Sequence, residues 1–253
     1  MKKRAEDLRI ICLRELESNY FYFELQSEHA FENIIPGQFV NILVKGSPST
    51  FLRRPFSIHF VDYNKNALQL LIKVVGEGTR FLSGMKEGET LNVLFPLGNG
   101  YSVKAEQNAL LIGGGYGIAP LYHLGHEIVR LGGKVTFLLG ARTAKDLVLL
   151  EKFEKLGKLE ITTEDGSMGV KGLVLEHPVL KTTYSGIYTC GPELMMKAVS
   201  VYAEKTNTNC EVSLDHIMGC GIGVCLSCVA KTVRGHETSC THGPVFNSKD
   251  VIW

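Results

Sequence analysis

The sequence has no run of the roughly 20 apolar residues that a membrane-spanning helix needs. Its beginning, MKKRAEDLR, is basic but leads into an alternating segment with charges rather than into the apolar core of a secretory signal. The 27 lysines and arginines balance 26 aspartates and glutamates, so no positive excess indicates nucleic acid. Repeats and low-complexity tracts are also lacking. We therefore expect a cytoplasmic globular protein without a membrane or nucleic-acid partner.

Seven cysteines are few for a chain of 253 residues. Disulfide scaffolds are typical of much shorter secreted chains, so these cysteines are expected to be reduced or bound to metal. The last four have the spacing of a 2Fe-2S ligand loop, C-x4-C-x2-C with a fourth cysteine after eleven more residues: Cys220, Cys225, Cys228 and Cys240. Gly221 and Gly223 would let backbone amides turn towards the sulfurs. The spacing therefore predicts an electron carrier.

Other interpretations of the cysteines stay open. Four thiolates also hold structural zinc, although zinc sites usually show two C-x2-C pairs with a longer insert. A Rieske centre needs two histidine ligands, and His242 after Cys240 offers only one. Cys225 and Cys228 could form a dithiol redox pair, but two further cysteines so close argue against it. We interpret Cys210 as a small buried residue rather than a fifth ligand.

The chain divides by pattern into two large parts and a cysteine-rich end. Short apolar runs between turn residues occupy the first hundred residues, at 39–44, 56–60, 68–75 and 91–95. That rhythm is typical of an antiparallel barrel or sandwich. From Asn108 onwards strands alternate with helices, which predicts a doubly wound parallel sheet. The predicted strands are 109–112, 134–139, 159–163 and 186–190, and the predicted helices are 118–131, about 146–156, and one from Pro192.

We predict a multidomain β plus α/β protein with three units. Residues 1–103 would form an antiparallel β-barrel, 104–205 a nucleotide-binding domain and 206–253 a small cluster domain. Two further motifs lie in the first two units. Gly113-Gly-Gly-Tyr-Gly117 opens a helix whose amides could bind a pyrophosphate, although it lacks the strict G-x-G-x-x-G spacing and could be a simple tight turn.

The second motif is Arg54-Pro55-Phe56-Ser57, in a strand-like segment of the barrel. In an extended strand Arg54 and Phe56 share one face and Ser57 points to the other unless the strand bends. A cation for a phosphate thus lies near a ring for a flavin. As an isolated tetrapeptide it would more often be an edge strand with a surface arginine and a buried phenylalanine.

Six segments together carry a resemblance: LRRPFSI, LLIKVVGEGT, GGGYGIAPL, CGPELMM, CGIGVCLSC and HGPVF. In this order they resemble the ferredoxin reductase superfamily, and within it the electron transfer subunits of class B, NAD-dependent dihydroorotate dehydrogenases. The resemblance covers essentially the whole chain. It implies FAD, a 2Fe-2S cluster and NAD, the last as electron acceptor.

The resemblance also implies site residues. FAD would be held by Arg54, Pro55, Phe56 and Ser57, with Arg54 on a phosphate and with Phe56 and Ser57 beside the isoalloxazine ring. Leu71, Ile72 and Lys73 would line the flavin, and the amides of Gly78 and Thr79 would bind its pyrophosphate. The nicotinamide nucleotide site would comprise Gly113, Gly114, Gly115, Gly117, Cys190, Gly191 and Pro192. The four cluster ligands are those named above. We expect no protein side chain to act as a general base, because the cofactors carry the chemistry.

Two positions differ from the pattern of the superfamily. Phe56 stands where many members have tyrosine, so a phenolic hydrogen bond is absent and only stacking is expected. Arg142 follows the second predicted strand where a ribose-binding acid is usual, which leaves NAD or NADP undecided by residues alone. Only the resemblance favours NAD.

The resemblance implies a place in de novo pyrimidine (UMP) biosynthesis. An FMN-containing catalytic subunit would oxidise dihydroorotate, and electrons would pass through the cluster and FAD to NAD, in a two-plus-two heterotetramer. One alternative is the small subunit of a sulfide dehydrogenase or of an NADH-dependent ferredoxin:NADP reductase complex. An alternative of another class is a zinc-stabilised nucleotide-binding module without turnover.

Overall fold

The computed structural model describes residues 3–47 and 49–253. It contains a closed barrel, a seven-stranded sheet and a two-stranded hairpin. No helix in these two described ranges has the length and apolar character to cross a membrane.

The first unit is a closed antiparallel barrel of six strands, in the order β1-β2-β5-β4-β3-β6. The strands are β1 (Arg4–Glu15), β2 (Tyr20–Gln26), β3 (Phe39–Leu43), β4 (Arg54–Asp62), β5 (Ala67–Lys73) and β6 (Thr90–Leu97). A short helix, α1 (Glu77–Ser83), follows β5. Alternate residues of the strands fill one apolar interior, which includes Val40, Ile42 and Ile58. The barrel predicted from the short apolar runs is confirmed.

The second unit is a seven-stranded sheet in the order β10-β9-β8-β7-β11-β12-β15. Its strands are β7 (Asn108–Gly114), β8 (Lys134–Ala141), β9 (Lys158–Thr163), β10 (Val170–Lys171), β11 (Gly186–Cys190), β12 (Cys210–Ser213) and β15 (Val245–Asn247). The longer helices are α2 (Ala119–Arg130) and α4 (Glu193–Lys205). The pairs among β7 to β12 are parallel, whereas β15 pairs antiparallel with β12. The doubly wound sheet is confirmed, with an antiparallel edge that the sequence pattern did not predict.

The helix predicted at about 146–156 is wrong in length. The structure has a 3-10 turn at Ala144–Asp146 and a short helix, α3 (Leu150–Glu154). Leu149 between them takes a left-handed conformation, with φ of 59°. Leu147, Val148 and Leu149 are all buried in the core that the barrel and the sheet share. Packing of three consecutive apolar residues thus interrupts the helix, since a continuous helix would turn them to different sides.

The cluster unit is small and shares a sheet with the nucleotide domain. It has a hairpin, β13 (Val229–Thr232) and β14 (Gly235–Thr238), and the cysteine loop that precedes it. The sequence put the start of this unit at residue 206, but β12 is an inner strand of the seven-stranded sheet, flanked by β11 and β15. We therefore propose that the cluster unit begins after Ser213; the boundary between residues 103 and 104 stays a proposal.

Candidate functional site

The cysteine loop turns its backbone amides onto one sulfur. The amides of Ile222, Val224 and Cys225 each donate to Sγ of Cys220 at 3.4 Å. Gly221 and Gly223, with φ of 72° and 89°, supply the left-handed turns that this geometry needs. Amides that point at a thiolate stabilise its negative charge and that of a bound cluster. This is the role that the sequence predicted for the two glycines.

The four predicted ligands come together as two pairs. The amide of Cys220 donates to Sγ of Cys225 at 3.4 Å, and Cys228 and Cys240 lie side by side in a buried apolar group. In residues 3–47 and 49–253, no three His, Cys, Asp or Glu side chains converge as they would around a single ion. Zinc needs four ligands around one ion, whereas a 2Fe-2S cluster takes thiolates on two irons. The pairing fits the two-iron cluster.

The two pairs differ in exposure. Cys225 is exposed, and hydrogen bonds from the hydroxyl and amide of Ser227 lower the pKa of its thiol to about 6. Cys240 is fully buried, and burial together with the neighbouring Cys228 raises its pKa to about 11. The more exposed pair, Cys220 and Cys225, is therefore easily ionised for metal binding. The buried pair, Cys228 and Cys240, would lose its protons when iron binds.

The flavin motif forms the start of β4, where residues 54–57 are all half-exposed. Phe56 lies opposite Val40 of β3 and Ser57 lies opposite Phe39. Val40 fills the barrel interior, whereas Phe39 packs against the cluster unit. Opposite residues on neighbouring strands share a face. Ser57 is thus on the cluster side and Phe56 on the barrel side, as strand alternation predicts, and their joint contact with one ring stays a prediction.

Arg54 lies next to Gly78, the glycine predicted to hold a pyrophosphate. A Cβ atom built on Gly78 would be 3.3 Å from Nε of Arg54. A side chain at position 78 would therefore fill the space beside the guanidinium, where a phosphate is expected. The hydroxyl of Thr79 already accepts hydrogen bonds from the amides of Val75 and Gly76. Only the backbone of Thr79 is left for a ligand, in agreement with the predicted contact through amides.

The three predicted residues of β5 point in different directions. Ile72 is buried in the barrel core and Leu71 in the core shared with the nucleotide domain. Their side chains are committed to packing, so Ile72 in particular can meet a ligand only through its backbone. Lys73 is half-buried, and its ammonium pairs with Asp146 of the nucleotide domain at 3.0 Å. The lysine therefore faces the nucleotide site as well as the barrel.

The two nucleotide motifs meet at the carboxyl ends of neighbouring strands. Gly113 on β7 lies opposite Cys190 on β11. A Cβ on Gly191, whose φ is 151°, would be 2.9 Å from the amide nitrogen of Gly114, and one on Gly117 would strike the carbonyl of Cys190. The glycines allow this backbone contact. The chain order changes direction between β7 and β11, which is where such sheets bind ligands.

A cavity of about 840 Å³ opens at this edge of the sheet. Three of the residues predicted for the nucleotide site line it: Gly114, Gly115 and Pro192. Gly113 instead allows α2 to approach the sheet, because a Cβ there would be 2.9 Å from Leu121. Sequence reasoning missed much of the wall, namely Lys73 as a nucleotide-site residue, Tyr116, Asp146, Thr162, Glu164, Leu173, Val174, Leu175, Leu194 and Met195.

Thr162 is a missed residue of the cavity wall whose polar atom is unpaired. It is 1 % exposed, and its hydroxyl has no hydrogen-bond partner within the two described ranges. A buried hydroxyl in a cavity wall is available to a polar group of a ligand. Its position at the carboxyl end of a predicted strand, 159–163, was the signal that could have found it.

Cys190 lies at the end of β11 and is 6 % exposed. Burial, with the nearby charge of Asp215, raises the pKa of its thiol to about 12. The thiol is therefore neutral and cannot act as a thiolate nucleophile. A neutral thiol fits the predicted place of Cys190 in the nicotinamide nucleotide site, where we expect no covalent role for it.

Comparison with known families divides the chain into three matching parts. Residues 14–101 match the oxidoreductase FAD-binding domain and residues 111–201 the oxidoreductase NAD-binding domain. Residues 215–252 match the iron-sulfur cluster binding domain of dihydroorotate dehydrogenase B. The three sites described above fall within these three parts.

Similar proteins match over nearly the full chain. Two are named dihydroorotate dehydrogenase B (NAD(+)), electron transfer subunit: one of Desulforamulus reducens, 36 % identical over 98 % of each chain, and one of Bacillus cereus strain Q1, 38 % identical over 98 % of this chain and 99 % of the relative. A solved structure of an NADH-dependent reduced ferredoxin-NADP oxidoreductase is 31 % identical, with a TM-score of 0.88, and covers 97 % of this chain and 90 % of that one.

Proposed function

Because this chain belongs to the electron transfer subunits of dihydroorotate dehydrogenase B, we propose that it passes electrons from dihydroorotate oxidation to NAD. It is an oxidoreductase subunit with domains for FAD, NAD and an iron-sulfur cluster. Dihydroorotate would be oxidised at the FMN of a separate catalytic subunit, in a two-plus-two assembly serving pyrimidine synthesis. We also propose a cytoplasmic location, because free and metal-bound cysteines are typical of reducing compartments.

One observation supports the proposal above the others: the three sites adjoin within one chain. Lys73, at the end of β5, lines the nucleotide cavity. The barrel strand that is expected to line the flavin therefore also contributes to the NAD site. The cluster loop rests on β3, the strand beside the flavin motif. A subunit that passes electrons from one reaction to another needs its cofactor sites to adjoin in this way.

The residues of the chain would bind and orient rather than react. When bound, the cluster would carry single electrons and the flavin would convert them into the hydride that reduces NAD. Arg54 would hold a phosphate of FAD, with the open space at Gly78 beside it. Gly114, Gly115 and Pro192 would bring backbone against the nicotinamide nucleotide. Cys190, protonated and buried, would exclude water there.

The partner would dock on the apolar rim of the cluster loop. Ile217 is 90 % exposed, Val224 76 % and Leu226 63 %, all within a few residues of the ligands. Apolar side chains that crowd one exposed loop are typical of a protein interface. Since the matching relatives are named as subunits, we assign this rim to the catalytic subunit.

The test of the function is anaerobic addition of dihydroorotate and NAD to the chain, with and without a coexpressed FMN-containing dihydroorotate dehydrogenase subunit. We expect NADH to form only with the partner, while the flavin and cluster absorption respond to NADH in both samples. A verified complex with responsive cofactors and no dihydroorotate-dependent NADH would contradict the substrate assignment. A colourless, zinc-containing protein without flavin would contradict the whole proposal.

The second candidate is the matching subunit of an NADH-dependent ferredoxin:NADP reductase or of a sulfide dehydrogenase. The similarity to the solved NADH-dependent reduced ferredoxin-NADP oxidoreductase favours the former. Turnover with reduced ferredoxin and NADP in its assembled complex, but none with dihydroorotate, would select this candidate.

The docking face has its own test. Val224→Asp should weaken binding of the catalytic subunit by about tenfold or more, because interface anchors cost 1–3 kcal/mol when disrupted. Val201→Asp is the matched control, since Val201 is also exposed, at 44 %, but lies on α4. Affinity can be measured by titrating the labelled holoprotein with the partner. Equal affinities for the two variants would refute the assignment.

A further inference from the structure

Asn41 is a fully buried polar residue on the outside of the barrel wall. It lies in β3 between Val40 and Ile42, which fill the barrel interior, so its own side chain points outward. There its Nδ2–H donates to the carbonyl of Cys220 at 3.3 Å. A side chain of the barrel thus holds the backbone of a cluster ligand.

The same residue adjoins the flavin motif. Asn41 lies opposite Pro55 of β4, and its neighbour on that face, Phe39, lies opposite Ser57. Residues opposite one another share a face of the sheet. Asn41 therefore lies between the cluster loop and the strand residues expected beside the flavin. It is the described residue that links both by a direct hydrogen bond on one side and a strand pairing on the other.

The contact between Asn41 and the cluster loop is closely packed on the loop side and held by hydrogen bonds on the barrel side. Gly221 has φ of 72°, and a Cβ there would be 2.6 Å from Nδ2 of Asn41. The guanidinium of Arg53 donates to the backbone carbonyls of Asn41 and Asn92, each at 3.1 Å, and so ties β3 to β6. The asparagine backbone is fixed, and the cluster loop can approach it only because residue 221 has no side chain.

The orientation of the amide follows from its partner. A carbonyl oxygen only accepts, so the Nδ2 end must face Cys220. Oδ1 is then left buried, with no hydrogen-bond partner within residues 3–47 and 49–253. Buried acceptors normally have a hydrogen-bond donor, so Oδ1 of Asn41 is available to a donor that binds on this outer face of β3.

We propose that Asn41 is a positioning residue for electron transfer between the cluster and the flavin. The proposal deepens the proposed function and rests on it. The step is the movement of one electron from the reduced cluster to the flavin, or back, with no bond made or broken. Asn41 holds the Cys220 side of the cluster at a fixed separation from the flavin strand, and the positive end of its N–H favours the reduced, more negative cluster.

Two substitutions remove the donor in different ways. Asn41→Asp keeps the shape but replaces Nδ2 by an oxygen, and Asn41→Leu removes both polar atoms at similar volume. Asn99→Leu is the matched control, because Nδ2 of Asn99 also donates from the barrel side to a cluster-unit carbonyl, that of His242, at 2.8 Å. Asn99 is exposed, and the carbonyl that it holds does not belong to a predicted ligand.

The measurement uses the isolated holoprotein reduced by NADH. Stopped-flow absorbance follows the flavin, rapid freeze-quench EPR follows the cluster, and an EPR redox titration gives the cluster potential. We expect flavin reduction to be unchanged in both Asn41 variants and cluster reduction to slow by about tenfold, the equivalent of one buried hydrogen bond. The cluster potential should fall, further in Asn41→Asp than in Asn41→Leu, and Asn99→Leu should match the wild type in rate and potential.

Each other result counts against the proposal. Unchanged rate and potential in the Asn41 variants, or equal changes in Asn99→Leu, would overturn the positioning role while leaving the proposed function intact. Loss of the cluster from both Asn41 variants at full flavin content would assign Asn41 to cluster assembly instead. A wild-type protein in which NADH reduces the flavin but never the cluster would contradict the proposed function and the role of Asn41 together.

Discussion

The barrel contacts the nucleotide domain on one side and the cluster unit on another, and the two contacts use different kinds of side chains. Towards the nucleotide domain it presents rings: His59 stacks on Tyr122 of α2 at 4.8 Å, and Phe60 meets His126 at 4.8 Å. Lys152 inserts its ammonium over the ring of Tyr22 at 4.4 Å. Towards the cluster unit the barrel packs Phe39 and Leu97 against a small apolar group. The polar contacts there include hydrogen bonds from the side chains of Asn41 and Asn99 to backbone carbonyls.

The two contacts suit two kinds of transfer. Hydride transfer needs reacting atoms about 3–3.5 Å apart and aligned, which interdigitated rings can maintain between two domains. An electron can cross between centres whose atoms do not touch, so the cluster unit can rest on fewer contacts and leave its loop exposed to a partner. This difference fits our proposal that the catalytic subunit docks on the cluster side.

The largest effect is expected at the cluster contact, from Cys225→Ser. Cys225 is an exposed cysteine and a predicted cluster ligand, so its loss should remove the cluster without disturbing the core. NADH formation driven by the partner should fall to background, whereas oxidation of NADH by an artificial acceptor should persist. Iron content and both activities are the measurements, with Cys12→Ser as the control that keeps the cluster. Loss of both activities would contradict the assigned order of centres.

The second largest effect is expected on FAD binding by the barrel, which lies between the two contacts. Arg54→Ala should weaken FAD binding by roughly 10- to 100-fold, because a charge-assisted hydrogen bond to phosphate is worth 1.5–3 kcal/mol. Flavin release on dilution measures the affinity. Arg54→Lys keeps the charge but lacks the planar guanidinium, so its affinity for FAD should lie between those of the wild type and Arg54→Ala. Unchanged flavin retention in Arg54→Ala would refute the assigned site.

The aromatic contact between the barrel and the nucleotide domain should make the stability of the protein sensitive to acid. His59 is fully buried, with its Nδ1 at 2.8 Å from the carbonyl of Ala119, and burial lowers its pKa to about 3. Burial also lowers the pKa of His123 to about 4. Both rings stay neutral in the folded protein, while the unfolded chain takes up protons below about pH 6.5. Stability is therefore lost as the pH falls from 6.5 towards 3–4.

At pH 5 the loss should be about 2 kcal/mol for each of the two histidines. Urea unfolding at pH 7 and pH 5 measures it. His59→Gln removes one titrating group, so its stability should depend less steeply on pH than that of the wild type, whatever its value at pH 7. His236→Gln, at an exposed position, is the control. Identical pH slopes for His59→Gln and the wild type would refute the prediction.

The smallest effect is expected from the ion pair of Lys73 and Asp146, which joins β5 to the nucleotide domain. Burial opposes ionisation of Asp146, but the hydrogen bond and charge of Lys73 outweigh it, and the pKa of the carboxyl is lowered. The stabilisation is therefore present near neutral pH and is lost as the pH falls through the lowered value. Asp146→Asn should cost only about 0.5–1 kcal/mol, since the pair is partly exposed.

A double-mutant cycle with Lys73→Met isolates this pair. Melting temperatures of the two single variants and the double variant give the coupling energy. A coupling of zero would mean that the two side chains do not interact in solution, and a coupling larger than that of a buried hydrogen bond would make this contact as important as the aromatic one.

Local patterns predicted most elements but not all. The apolar runs of the barrel and the strands of the sheet could be read because each is bounded by turn residues. The first strand, Arg4–Glu15, was missed because the charged residues Arg4 and Glu6 lie on the same face as the buried Leu8 and Ile10 and shorten its apolar pattern. The helix near 146–156 failed because tertiary packing of Leu147–Leu149 overrides helical periodicity.

The sequence by itself was enough to predict the cluster ligands, the glycine loop and the flavin motif, because each is a short segment whose spacing carries its chemistry. Only the tertiary structure decided which residues connect them. Asn41 and Cys220 are 179 residues apart and meet through strand register, and Lys73 reaches the nucleotide cavity because the barrel packs on α2. Such contacts depend on the position of whole elements, and spacing along the chain does not encode that position locally.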